Sequence, residues 1–284
     1  MADPALELIG CSYRYDGRVP ALDRLDCAIE RGSWTALVGQ NGSGKTTMAR
    51  LCNGLLRPQS GQVRVMGRDT RDRSVGELAR QVGYLFQNPD DQLFAPTVRE
   101  EIAFGLGNLG FSRQEREARL GEALRAFDLE AHAEQPPAML GFGLRRQVTL
   151  ASLFALHPPV LILDEPTTGL DWGRTRALLE RLERLHIAGH TIVLITHQMR
   201  LVAEWAERVI VLHRGHIMAD GTPRSVFAQA DVMDRAYLSP PPIGELSHRL
   251  RSFGIPADCV TLEHFVDAYE RLVHGGGNCS SRPS

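Results

Sequence analysis

Lysine is almost missing from this chain: of its 32 lysines and arginines, Lys45 alone is a lysine. Cysteine is sparse and carries no pairing pattern. The five, Cys11, Cys27, Cys52, Cys259 and Cys279, are odd in number and form no C-x-x-C pair, which argues against a disulfide framework or a zinc site and for a reducing cytoplasm. Long apolar runs are lacking too. Val160–Leu163 and Thr191–Ile195 have strand length, far below the roughly 18 residues that suggest a membrane span. The first residues, Met-Ala-Asp-Pro-Ala-Leu-Glu, have no basic-then-apolar signal-peptide shape. Charge of one sign is not in excess. A net charge of −2 offers nothing to a phosphate backbone, so no nucleic-acid partner is expected. No internal repeat is visible. There remain 284 residues, 43% hydrophobic and 23% charged, the make-up of a soluble globular protein with one large domain and an appendage, or two modest domains.

The lone lysine lies in Gly39-Gln-Asn41-Gly42-Ser43-Gly44-Lys45-Thr46-Thr47, which fits the phosphate-binding pattern G-x-x-x-x-G-K-[ST]. Trp34–Val38 before it reads as a short buried strand, and Met48–Cys52 after it as a helix stopped by Asn53-Gly54. Strand, glycine-rich turn and helix are the context the motif requires. Glycines let backbone N–H groups close around a phosphate at the positive end of the helix. Lys45 then reaches the β- and γ-phosphates, and the Thr46 hydroxyl is placed for Mg²⁺. In a chain that otherwise uses arginine, a lysine marks the place where a compact point charge suits the chemistry and a planar fork does not.

Along the chain, Ala5–Ile9 and Leu22–Ile29 read as antiparallel strands leading into a core strand at Thr35–Val38. Period-two alternation returns at Gly61–Met66, and Val82–Phe86 is a further short core strand. Residues 97–158 are helical in character. Ser112-Arg-Gln-Glu115 is a capping box, followed by Leu120, Ala123, Leu124 and Phe127 at helical spacing. Strands return at Val160–Leu163 and Thr191–Ile195, separated by a helix through Leu178, Leu182 and Leu185 that ends at Gly189. Arg208–Leu212 and His216–Ala219 form a hairpin across Arg214-Gly215. The expectation is an α/β fold: a parallel sheet with an antiparallel β subdomain and an inserted helical block. Ser239-Pro-Pro-Pro242 divides this body, residues 1–238, from a segment of two short helices over 239–274, with a disordered tail at 275–284.

Further residues gather around the phosphate loop. Leu161–Leu163 ends in Asp164 and Glu165, one carboxylate suited to hold Mg²⁺ and the next to polarise an attacking water. His197 follows the strand Thr191–Thr196 and is placed for the γ-phosphate; Gln87 follows another strand and is placed for Mg²⁺ or the water; Asp171 lies in the turn after the carboxylate strand. This set, in this order, resembles the ATPase subunit of ATP-binding-cassette (ABC) transporters. The resemblance makes Gly39–Thr46 the Walker A motif, Leu161–Glu165 Walker B, Gln87 the Q-loop, Asp171 the D-loop and His197 the switch histidine, on a P-loop NTPase core that binds ATP and Mg²⁺. Tyr15 sits where the family has an adenine-stacking aromatic, with Tyr13 as the neighbouring alternative.

Gln87-Asn-Pro-Asp-Asp-Gln-Leu-Phe-Ala-Pro-Thr-Val98, with Ala103-Phe-Gly105 and Asn108-Leu-Gly110, looks like the energy-coupling-factor (ECF) branch, which serves vitamin and transition-metal uptake. The resemblance implies an integral membrane coupling subunit, a small substrate-binding membrane subunit, a second ATPase, and a place on the cytoplasmic face of the membrane. The segment from Pro241 to Arg251 is similar to the branch's C-terminal extension, which helps its ATPases dimerise. Asp90, Asp91, Glu100 and Glu101 read as solvated acids; the ECF resemblance gives them a second reading, as the lining of a groove for an arginine-bearing helix of the coupling subunit.

One motif departs from the family. Its Leu-Ser-Gly-Gly-Gln signature, which binds the γ-phosphate held by a partner subunit, falls here on Leu140-Gly141-Phe142-Gly143-Leu144. Gly141 lacks the serine hydroxyl, Phe142 adds bulk where a missing Cβ lets backbone approach phosphate, and Leu144 lacks a polar side chain. Gly143 and the helix N-terminus remain. The expected consequence is pairing with a different ATPase whose signature is intact, rather than a homodimer with two impaired sites. The alternatives are an ATPase of another ABC importer class, or a non-transport ABC protein of the DNA-repair or translation type. The latter two carry long coiled coils or two cassettes, and neither is present here. Gly105-Leu-Gly107-Asn-Leu-Gly110 spells a dinucleotide fingerprint without the preceding apolar strand and is set aside.

Overall fold

The computed structural model describes residues 4–16 and 19–275. Two sheets organise it. The first is antiparallel, in the order β2-β1-β4-β5, from β1 (Leu6–Arg14), β2 (Pro20–Ile29), β4 (Ser60–Val65) and β5 (Arg68–Asp69). The second has six strands in the order β10-β9-β3-β8-β7-β6. Its members are β3 (Trp34–Val38), β6 (Val82–Leu85), β7 (Val160–Asp164), β8 (Thr191–Ile195), β9 (Arg208–His213) and β10 (His216–Gly221). All neighbours from β9 to β6 pair in parallel, and β10 returns antiparallel to β9 as the hairpin. The α/β expectation with an antiparallel subdomain holds, and Val82–Leu85 proves to be the sheet's edge strand.

The apolar runs of β3, β7 and β8 are buried on both faces, as parallel strands covered by other layers require. Side chains alternate between faces along a strand, and this divides the core in two. Ala36, Val38, Leu161, Leu163, Ile192 and Leu194 face one cluster, shared with the helices on that side. Leu37, Val160, Ile162, Val193 and Ile195 face the other, with the antiparallel sheet and α1 (Lys45–Cys52).

Between β4 and β6 lies a short helix, α2 (Val75–Ala79), started by a Ser74–Glu77 capping box. The inserted helical block comprises α3 (Val98–Asn108), α4 (Arg113–Ala126) and α5 (Phe142–Leu156). The Ser112–Glu115 box is present at the start of α4, and Leu120, Ala123 and Leu124 are buried. Helices α6 (Trp172–Ile187) and α7 (Met199–Trp205) flank β8 in the chain. The last residues form α8 (Pro223–Phe227), α9 (Ala230–Arg235), α10 (Pro242–Arg249) and α11 (Leu262–Gly275). Ile255, Cys259 and Ala268 make a small separate cluster there. The tail beyond Gly275, with Cys279, lies outside the described residues; Gly275 itself ends α11.

One expectation is corrected. Glu101 is not a solvated acid: it is buried, and its Oε2 accepts from the backbone N–H groups of Phe94 (2.9 Å) and Ala95 (2.7 Å). A carboxylate that satisfies two loop donors holds the segment after Gln87 against α3. Asp90 is exposed but engaged, pairing with Arg145 at 2.6 Å.

Candidate nucleotide site

The phosphate loop joins the C-terminal end of β3 to α1, at the sheet end where ligands collect in open α/β folds. Two of its glycines are there for lack of a side chain. A Cβ on Gly39 would overlap the carbonyl oxygen of Leu212, and one on Gly44 that of Ala21, and both have positive φ, 149° and 111°. Gly44 starts α1 without a side-chain cap, which leaves the first N–H groups of the helix free of side-chain acceptors.

Lys45 donates to the carbonyl oxygens of Gly39 (2.7 Å) and Gln40 (2.8 Å) and reaches Ser43 Oγ at 3.4 Å. Burial lowers its pKa against the opposing pull of Asp164 and Glu165. Thr46 Oγ1 donates to Asp164 Oδ2 at 2.8 Å, and the Tyr84 hydroxyl donates to the same oxygen at 3.3 Å. Burial raises the Asp164 pKa although Thr46, Tyr84 and Lys45 all favour its charge. A carboxylate kept under that strain, beside a threonine hydroxyl, is suited to a hard divalent cation.

Glu165 follows Asp164 in the left-handed region, φ 48°. Its backbone N–H donates to Ile195 O at 2.9 Å, so the end of β8 holds the turn. Thr196 Oγ1 donates to Glu165 Oε2 at 3.2 Å, and His197 Nδ1 lies 2.9 Å from Oε1. Both carboxylate oxygens are thus fixed by the residues just past β8. The Glu165 side chain is 10% exposed and the His197 ring 72%, so the acid is sheltered and the imidazole stands at the open face.

Gln87 lines the same cleft, of about 420 Å³, with Asn41, Gly42 and Thr47. Of the two tyrosines, Tyr15 lines it and accepts from Thr47 Oγ1 at 3.3 Å; Tyr13 packs edge-on behind, ring centres 5.0 Å apart. Asp171 lies apart from this group, capping α6 through Arg174 N at 2.9 Å. Leu140–Leu144 also lies apart. Gly141 caps α5 without a side-chain hydrogen bond, and the Phe142 ring covers Gly169 so closely that a Cβ there would collide with it. Phe142 therefore rests on the turn that leads to Asp171.

The ABC resemblance places Arg145-Arg146 in the basic stretch expected after the signature slot, but it assigns no contact to the buried Arg146 guanidinium. It donates from Nη1 to Phe86 O at 2.7 Å and from Nη2 to Gln87 O. Burial lowers its pKa against the pull of Asp164 and Glu165. This residue ties the helical block to the strand end that carries Gln87. The Arg145-Arg146 pair just past Gly143 and Leu144 is the one sequence signal, and it names no partner.

The family described as "ABC transporter" matches residues 22–168, and the chain belongs to it. Within the family, the chain is 40% identical to the "Energy-coupling factor transporter ATP-binding protein EcfA1" of Geobacillus kaustophilus, over 94% of this chain and 97% of that protein. It is 44% identical to a "Putative ABC transporter ATP-binding protein" of Caldanaerobacter subterraneus over 87% of its own length, yet spans only 44% of that longer relative. Among solved structures, the CbiO1 protein of Clostridium perfringens, described as part of the transporter complex CbiONQ, superposes with a TM-score of 0.70 at 33% identity, over 86% of this chain and 98% of that one.

Proposed function

We propose that this chain is the ATP-binding and hydrolysing subunit of an ECF-type importer for a vitamin or transition-metal ion, paired with a second, different ATPase. The observation that carries the reading is the convergence of Lys45, Thr46, Asp164 and Glu165 on one cleft at the end of the parallel sheet, with His197 against Glu165. The ECF relatives of matching length support the branch.

The residues fit ATP and Mg²⁺. Gly39, Gly42 and Gly44 let the loop take positive φ values that turn backbone N–H groups toward a phosphate, and the Thr46–Asp164 oxygens, with Gln87 at the edge, suit a hard divalent cation. Bound Mg²⁺ supplies neutralisation of charge on the β- and γ-phosphates. Lys45 adds a partly desolvated positive charge to the same phosphates. Glu165 accepts the proton of the attacking water, its orientation kept by Thr196 and His197. Tyr15 offers its ring to the adenine.

Three surfaces agree with the proposed partners. At Leu140–Leu144 the chain offers a partner's nucleotide only a helix end crowded by Phe142, which favours a partner with an intact signature of its own. Leu55, Val75, Phe94 and Phe104 are exposed around a groove between β6 and α3, with the two phenylalanine rings 4.6 Å apart; this suits the apolar face of a helix from a membrane coupling subunit, with Asp91 exposed nearby for an arginine. Leu262, Val266, Tyr269 and Val273 leave one stripe of α11 uncovered, which suits contact with the second ATPase. Among the described residues no helix is long and apolar enough to cross a membrane, so attachment to the cytoplasmic face runs through these partners. The transported substrate is chosen by the membrane subunits.

The test is to purify the tagged chain from native membranes and identify what accompanies it. A second ATPase, an integral coupling protein and a small membrane binding protein are expected. A chain recovered wholly from the soluble fraction, alone, would overturn the importer reading.

A further inference from the structure

On the side of α4 and α6 remote from the phosphate loop lies a pocket of about 250 Å³ that the ATPase chemistry does not use. Its apolar wall is Phe127 and Phe154, set edge to face at 5.3 Å. Three arginines, Arg119, Arg181 and Arg184, surround that wall, with His157 beside them and Glu122 also on the lining. Among the described residues none of the three arginines has a carboxylate within ion-pair distance.

Two of the guanidiniums are held in place by neutral partners. Arg119 lies over the Phe111 ring at 4.5 Å and donates to Ala155 O at 3.0 Å. Arg181 lies over Phe127 at 4.8 Å and donates to Ala126 O, the last carbonyl of α4. Each has five N–H donors and one hydrogen-bond acceptor in the fold, so most donors stay available. Desolvation and then the nearby Arg184 lower the Arg181 pKa, and together they outweigh the opposing pull of Asp128 and Glu180. His157 closes α5 with φ 48°, a left-handed conformation that a glycine adopts more cheaply.

Oriented guanidinium forks beside an apolar wall recognise a carboxylate or phosphate carried on a flat ring. We propose that this pocket binds a small aromatic anion. Arg181 gives such a ligand a mechanical consequence: it joins α6, which begins just after Asp171, to the end of α4 in the helical block. An anion seated between the arginines ties those two helices together.

The test uses the full chain with Mg·ADP at saturation, so that the phosphate loop is occupied, and 2-naphthoate as probe, titrated by calorimetry. Saturable binding at one site is expected, with a rise in melting temperature. Inorganic phosphate and the neutral 2-naphthalenemethanol should each bind at least about tenfold more weakly. Arg184→Gln, at an exposed position, and Arg119→Gln should each weaken the naphthoate about tenfold and leave ADP affinity unchanged. No saturation below about 10 mM, equal binding of the neutral ring or of free phosphate, or wild-type affinity in both variants would each overturn the proposal. The readout is binding to the ADP-loaded chain, so it stands or falls separately from the transporter reading.

Discussion

At the scale of the residue, the cleft depends on charges held where water is scarce. Lys45→Ala should reduce ATP affinity by about 100-fold or more, since no other lysine exists to replace a desolvated phosphate contact; equilibrium binding of a labelled nucleotide measures this. Glu165→Gln should keep nucleotide affinity and lower phosphate release by about 10²–10⁴-fold. Turnover near wild type in that variant removes Glu165 from the role of base. Both residues were legible in the sequence, because a strand-end motif fixes its own geometry. Arg146 was not. Its hydrogen bonds run to Phe86 and Gln87, some sixty positions away in the chain, and no local pattern encodes such a distance. Arg146→Met should leave both carbonyls unpaired and cost roughly 1–3 kcal/mol of stability by denaturant titration. It should also lower turnover more than nucleotide affinity, because it frees the strand end that carries Gln87.

At the scale of the element, caps and turns do most of the local work. Ser112 starts α4 with a reciprocal capping box, accepting from Glu115 N at 3.3 Å while Glu115 Oε2 accepts from Ser112 N at 2.9 Å. Ser112→Ala should cost about 1 kcal/mol, read as a lower denaturation midpoint with an unchanged m-value. Asp69, at the end of β5, accepts from the Arg71 backbone and side chain and from Gln62 Nε2, and the Arg71 hydrogen bonds bring its pKa down to about 2. A carboxyl depressed on folding contributes stability above its unfolded pKa near 4, and loses it as pH falls toward 2. Discounted for solvent screening, the contribution is about 1 kcal/mol. Asp69→Asn should therefore lower the melting temperature at pH 7, with the gap to wild type closing between about pH 4 and pH 2. The Ser112 box announced itself by its four-residue spelling. The burial of Glu101 did not, because a charged residue early in a helix normally faces water and only the loop at Phe94–Ala95 supplies the donors that bring it inside.

At the scale of the whole molecule, the pairing proposed above makes Leu140–Leu144 the segment on which the number of complete catalytic sites depends. Phe142 has come to rest on Gly169, so the helix start that would meet a partner's phosphate is braced against the chain's own turn before Asp171. Replacing Gly141, Phe142 and Leu144 by Ser, Gly and Gln should raise ATP turnover of the native complex, up to about twofold if a second site becomes competent to hydrolyse. Unchanged turnover would show that the site was never impaired by this segment. The same comparison made on the isolated chain has a different reading, since a pair of identical chains then regains two signatures at once.

The sequence by itself determined the phosphate loop, the Asp164–Glu165 pair, His197 and the alternation of strands and helices, because each rests on spacing within a few residues of chain. Tertiary structure alone decided that Glu165 is held by Thr196 and His197 from the neighbouring strand end, that Arg146 holds the Gln87 strand end, and that Tyr15 rather than Tyr13 faces the cleft. It also placed Arg119, Arg181 and Arg184 together from two helices of unrelated register. The physical reason is common to all of them. Hydrogen bonds and desolvation act through space, and only the packed sheet and its covering helices bring distant stretches of chain within their reach.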